Sequence, residues 1–148
     1  MSEASPPADQ DRPDDAWHRP LRHTPAAQAS PATAQSPGMH RLEGISGHMS
    51  GSERIWMGEN RVDPGVSTSD HHHGESETGI YVVSGNPRFV FGVGGQETAI
   101  DAGPGDYVYV PPWTPHREEN PSPTDSATVV LARSTQDAIV VNVTDLTG

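Results

Sequence analysis

Between Arg54 and Pro123, glycine and proline recur so often that a long helix has nowhere to form. What lies between them is a series of short runs rich in β-branched and aromatic residues. These include Arg54-Ile55-Trp56-Met57, Ile80-Tyr81-Val82-Val83, Arg88-Phe89-Val90-Phe91, Glu97-Thr98-Ala99-Ile100 and Asp106-Tyr107-Val108-Tyr109-Val110. Two more follow, Thr128–Ala132 and Ala138–Val143. Turn chemistry separates them, at Asp63-Pro64-Gly65, Ser84-Gly85-Asn86-Pro87 and Ala102-Gly103-Pro104-Gly105. The pattern predicts an all-β sandwich or barrel.

The 148 residues fit one domain. Only 32% are hydrophobic, and the shortfall is concentrated at the start. Residues 1–40 are rich in Pro, Ala, Ser, Gln and Asp and carry hardly any large aliphatic side chain. Such a segment has too little apolar surface to offset the entropy of ordering it. The expectation is a disordered tail over 1–40 and a β domain over 41–148.

Composition also excludes several function classes. The formal net charge is −11, and no basic patch interrupts it, which argues against nucleic-acid and anionic-membrane partners. All nine basic residues are arginine, so Schiff-base lysine chemistry is out. There is no cysteine, hence no disulfide, thiolate metal site or cysteine nucleophile. No apolar run approaches the ~20 residues that span a bilayer. The N-terminal stretch lacks the basic start and apolar core of a secretory signal, so a cytoplasmic setting is expected.

Chemistry concentrates in Asp70-His71-His72-His73-Gly74-Glu75-Ser76-Glu77. On an extended backbone His71 and His73 share a face while His72 points away, so two imidazoles can chelate one cation. Glu77 follows at a distance that allows an oxygen ligand, and His116 arrives from far downstream. The alternative is a set of satisfied polar histidines with no metal.

The two histidine-bearing segments resemble the paired motifs of the cupins. Gly65, His71, His73, Glu77 and Gly85 follow the first motif, and Gly105, Pro111, His116 and Asn120 follow the second. The strand pattern extends the likeness over roughly residues 42–145. There are two departures. Trp113 stands where the family usually has glycine, and seven residues rather than six separate Glu77 from Gly85. If Glu77 is out of register, Glu75 or a water replaces it and a three-histidine site remains.

The resemblance implies a single-domain cupin jelly-roll β-barrel holding one divalent transition metal (Zn, Fe, Mn, Ni or Co) on His71, His73, Glu77 and His116. Tyr81 and Tyr109 are the catalytic candidates, weighed against core packing. Trp113, Arg61 and Arg88 are the substrate-binding candidates, Trp113 as a flat wall at the pocket mouth and the arginines as carboxylate forks. The implied function is an enzyme acting on a small polar metabolite by isomerisation or cyclisation, dioxygenation or N–N bond formation, as in bacterial specialised metabolism. The competing reading is a non-catalytic, metal-bearing module that binds a small ligand or a protein partner. A homodimer is also expected, with the Glu53–Met57 segment as its exposed edge and Trp56 or Met57 near the interface.

Overall fold

A computed structural model describes residues 13–148. Ten strands form two five-stranded antiparallel sheets. One sheet runs in the order β1 (Met39–Ile45), β2 (Trp56–Val62), β9 (Ala127–Arg133), β4 (Thr78–Ser84), β7 (Tyr107–Val110). The other runs β10 (Val141–Asn142), β3 (His71–His72), β8 (His116–Glu119), β5 (Arg88–Val93), β6 (Gln96–Asp101). The one α-helical turn among the described residues, α1 (Gly47–Ser50), is capped by the Ser46 hydroxyl, which accepts from the Met49 N–H. The all-β jelly roll expected from the sequence is what the chain adopts.

Alternation along the strands builds the core. On β4 the side chains of Thr78, Ile80 and Val82 point inward, while Gly79, Tyr81 and Val83 face out. Ile80 and Val82 meet Phe89 of β5, with Ala102, Val110 and Val129 completing the cluster between the sheets. Turn glycines keep the strands in register. Gly94 and Gly95 both take positive φ in the two-residue loop joining β5 to β6, the conformation that matches strand twist in a tight hairpin. Gly85 takes φ +80 where a Cβ would stand 2.6 Å from the Ala127 Cα, so only glycine fits.

Two parts of the sequence reading differ from what the fold shows. The Glu53–Met57 segment is not an exposed edge, because β1 covers β2 on its outer side and β9 lies on the other. Trp56 is buried inside the chain. Sequence patterning missed β1 because its residues, Met-His-Arg-Leu-Glu-Gly-Ile, look polar.

The expectation of a disordered tail lies partly outside the described residues, at 1–12. From residue 24 the chain already touches the β domain. The Thr24 hydroxyl donates to the Gly44 carbonyl, and Ser30 pairs with Glu43 through two backbone hydrogen bonds of 2.9 and 2.8 Å. Gln35 grips Arg41 from both sides, its Nε2 donating to the Arg41 carbonyl and its Oε1 accepting from the Arg41 N–H. These contacts are polar and specific to single residues, so average hydrophobicity carries no trace of them.

Candidate metal centre

His71 on β3 pairs directly with His116 on β8, and His73 follows one residue past the end of β3. The three rings stand 4.6 to 5.0 Å apart, centroid to centroid. One nitrogen from each lies within 4.8 Å of the others. The other nitrogen of each ring is engaged. Nδ1–H of His71 donates to the Ser69 carbonyl at 2.6 Å, that of His73 to Ile139 at 2.8 Å, and that of His116 to Thr114 at 2.9 Å. Each bond fixes a tautomer whose Nε2 keeps its lone pair. Burial lowers the pKa of His71 and His73 and brings that of His116 down to about 4. Near neutral pH all three rings are therefore uncharged, the form that binds metal. Three neutral, oriented imidazoles in one buried cluster fit a divalent transition metal.

The linkage has a definite sign. The unfolded chain protonates His116 near pH 6.5, whereas the folded chain resists until about pH 4. The penalty grows as pH falls through that window and can reach about 3 kcal/mol. Glu118 works the other way, because burial raises its pKa to about 7. The comparison that isolates His116 is the stability difference between metal-free protein and its His116→Ala variant. That difference should shift against the parent from pH 6.5 to 4 in denaturant titrations. A difference that stays flat over this range would refute the assignment.

The cupin-domain family model matches residues 58–132, half of the chain. This chain is a cupin. No curated protein matches it at the sequence level. Among solved structures it is similar to the polyketide cyclase RemF from Streptomyces resistomycificus, with 24% identity and a TM-score of 0.68, covering 83% of this chain and 85% of that one. A mutant of Bacillus subtilis oxalate decarboxylase aligns at 22% identity with a TM-score of 0.64, covering 79% of this chain and 30% of that chain. An oxalate oxidase in complex with the substrate analogue glycolate aligns at 19% and 0.63, covering 80% and 61%.

In this cupin the fourth motif position is not met by Glu77. Strand alternation turns Ser76 and Thr78 inward and Glu77 out to solvent, where its carboxylate accepts a 2.7 Å hydrogen bond from the Tyr109 hydroxyl. Six residues separate Thr78 from Gly85, so the family spacing lands on threonine. Glu75 is also exposed. The histidine cluster therefore has no carboxylate beside it from this segment.

The other sequence candidates lie away from the cluster. Tyr81 and Tyr109 are on the outer face of their sheet, Tyr81 packed on Tyr107 with ring centroids 5.0 Å apart. Arg61 is exposed, and Arg88 is tied to Asp101 at 2.7 Å. Trp113 is 64% exposed, and its indole leans on His72 rather than entering the cavity. Its φ of +63 explains why glycine suits this position, since a side chain there costs about 1–2 kcal/mol.

The cavity that holds the histidines measures about 250 Å³. Its apolar walls include Ile80, Phe89, Val110, Leu131 and Ile139. Among the polar residues that line it are Arg41, Asn60, Glu118 and Arg133, none of them a site candidate from the sequence. A signal existed for three of them. Glu118 shares the face of His116 two residues away, Asn60 takes an inward place between Trp56 and Val62, and Arg133 continues the inward series Ala127, Val129, Leu131. Arg41 offered none, because its strand was not foreseen. Asn60 Oδ1 and Glu118 Oε1 are buried with no hydrogen-bond partner. Buried polar atoms are nearly always paired, and these two have no protein partner among the described residues.

Proposed function

We propose that this cupin is a metal-dependent enzyme acting on a small polar metabolite, with isomerisation or cyclisation as the favoured class over dioxygenation or N–N bond formation. The observation that carries the reading is the convergence of three tautomer-fixed imidazoles on an enclosed cavity of small-molecule size. His71, His73 and His116 could hold a divalent metal, which would supply Lewis acidity toward a substrate oxygen. The Nε2 atoms of the three rings would be its ligands, with the Ser69, Ile139 and Thr114 carbonyls fixing the rings through Nδ1. Glu118 is the only carboxyl on the cavity wall among the described residues, so proton transfer at carbon or oxygen falls to its Oε atoms. Phe89, Ile80 and Val110 exclude water and hold the apolar part of the substrate. RemF is a polyketide cyclase, which agrees with a cyclisation, and the Bacillus subtilis oxalate decarboxylase has Mn(II) centres.

No helix among the described residues is long and apolar enough to cross a membrane. A cytoplasmic setting and a homodimer belong to the same reading. The outward face bearing Tyr81, Val83, Tyr107 and Tyr109 supports pairing, being an exposed apolar surface.

The test uses purified protein with its metal content measured by elemental mass spectrometry. Incubation with bacterial metabolite extracts should deplete one compound class and enrich an isomer or cyclised product, and a chelated sample should not. Retention of a ligand without turnover would favour the non-catalytic module. Equal turnover by chelated protein would refute metal dependence.

A further inference from the structure

We propose that Arg41 and Arg133 form an anion subsite in the histidine cavity, and that the substrate carries a carboxylate or a comparably acidic oxygen that docks there. The inference rests on the reading of this cavity as a small-molecule site and names the chemical class of what enters it.

Arginine in this acidic chain has ample choice of partners, and three of the described arginines use it, while Arg22, Arg54 and Arg61 lie exposed to solvent. Arg19 pairs with Asp15, Arg88 with Asp101, and Arg117 with Asp70, Glu97 and Glu119. Arg41 and Arg133 make no ion pair among the described residues. Both point inward from the alternating series of their strands and line the same cavity as the histidines. Each is desolvated there, and Arg41 acts on Arg133 as a like charge. Two guanidiniums that cannot lose their protons thus share one small enclosure.

The carboxyls nearby, Glu118 for Arg41 and Glu43 and Asp137 for Arg133, act on them through space without forming an ion pair. Glu43 spends one oxygen on the Trp56 indole N–H at 2.9 Å, and the other faces His48. Glu118 lies close enough to Arg41 to interact electrostatically, yet its Oε1 has no partner. An anion in the cavity relieves the repulsion between the guanidiniums.

The forks are also held in place with donors to spare. Arg133 donates Nε to the Thr135 carbonyl at 3.0 Å and Nη2 to the Gln136 carbonyl at 2.7 Å, and its guanidinium carbon sits 4.1 Å from the Trp56 ring centre. Its Nη1 hydrogens have no partner among the described residues. Arg41 donates Nη1 to the Ala34 carbonyl and the Ser36 hydroxyl and Nη2 toward the Met39 sulfur, leaving Nε. Oriented donors of this kind match a planar carboxylate. The unpartnered Asn60 Oδ1 adds an acceptor for a hydroxyl on the same molecule. The net charge of −11 repels anions at long range, so selectivity for one must come from these two side chains.

The probe is benzoate, small enough for the cavity and planar, with benzamide as its neutral counterpart. Binding is measured by isothermal titration on chelated, metal-free protein, so that no carboxylate–metal contact contributes. Benzoate is expected to bind and benzamide to bind at least about tenfold more weakly. Arg41→Gln and Arg133→Gln should each weaken benzoate by about ten- to a hundredfold, with circular dichroism unchanged. Arg88→Gln, whose side chain is paired with Asp101 and does not line this cavity, should have no effect. Should a glutamine variant misfold, Arg41→Lys and Arg133→Lys keep the charge but lose the fork. The benzoate–benzamide contrast needs no variant at all. Equal binding of the two probes, no benzoate binding at tens of millimolar, or full binding by a folded Arg41→Gln/Arg133→Gln double variant would each overturn the subsite. Metal uptake is recorded on the same preparations. Loss of probe selectivity with metal uptake intact removes the subsite alone, and loss of metal uptake with selectivity intact removes the metal-enzyme reading alone.

Discussion

Replacing His116 with alanine is expected to lower metal affinity by at least about a hundredfold, while Glu77→Gln leaves it unchanged. Loss of a mere supporting hydrogen bond around a metal ligand typically costs about 10–100-fold, so deletion of a ligand itself costs no less. With only three imidazoles in the cluster, there is no surplus donor to take over. The glutamate variant separates the structure from the family motif. If the motif position at Glu77 were a ligand, neutralising it would weaken binding on the scale of a histidine deletion. In the fold its carboxylate is turned to solvent and bonded to Tyr109, so its removal should disturb only that contact. His72→Ala is the matching control for the histidines, since the His72 ring lies against Trp113 and its Nδ1 accepts from the Gly74 N–H. Metal content after dialysis against a graded chelator reads all three. Retention of metal by His116→Ala, or its loss from Glu77→Gln, would refute the three-histidine assignment.

Strand periodicity and turn residues made the architecture legible, because both are local properties of the chain. The β4 run from Thr78 to Ser84 and the Gly94-Gly95 hairpin are readable from a few residues each. The strands that escaped notice were β1, β3 and β8, which are polar or very short and exist only because a neighbour pairs with them. The histidines were legible for a different reason, since an alternating His-x-His on an extended backbone has few geometric outcomes. Tyr81, Tyr109 and Trp113 were misleading because an aromatic residue signals burial or binding in general without saying which face of the sheet it occupies. The register of Glu77 turned on one residue. A shift of one position sends a strand side chain to the opposite face, and the spacing to Gly85 already pointed to Thr78. Arg41 and Arg133 were invisible as a pair, since 92 positions of sequence separate them and only the sheet order brings their strands to either side of β2.

Trp56→Ala is expected to destabilise the protein by about 3–5 kcal/mol, the cost of emptying a buried aromatic site. The midpoint of thermal unfolding should fall by on the order of 10 °C. Three consequences converge on this one side chain. The indole is 2% exposed at the start of β2, beside the end of β9, so its removal leaves a void that flanking strands close only in part. Its N–H is the donor to the buried carboxylate of Glu43, which loses that hydrogen bond on substitution. Its ring is also the platform beneath the Arg133 guanidinium, so the fork that faces the cavity loses a restraint. Trp56→Phe separates these contributions in part, because it keeps an aromatic face and much of the volume while removing the N–H, for a loss of about 1–3 kcal/mol. Benzoate binding by the phenylalanine variant should stay near that of the parent, and the alanine variant should bind more weakly even where it remains folded. Sedimentation at matched concentration tests the rival role for this residue. An alanine variant as stable as the parent but altered in mass would place Trp56 at a subunit contact, and the burial described here would then be wrong.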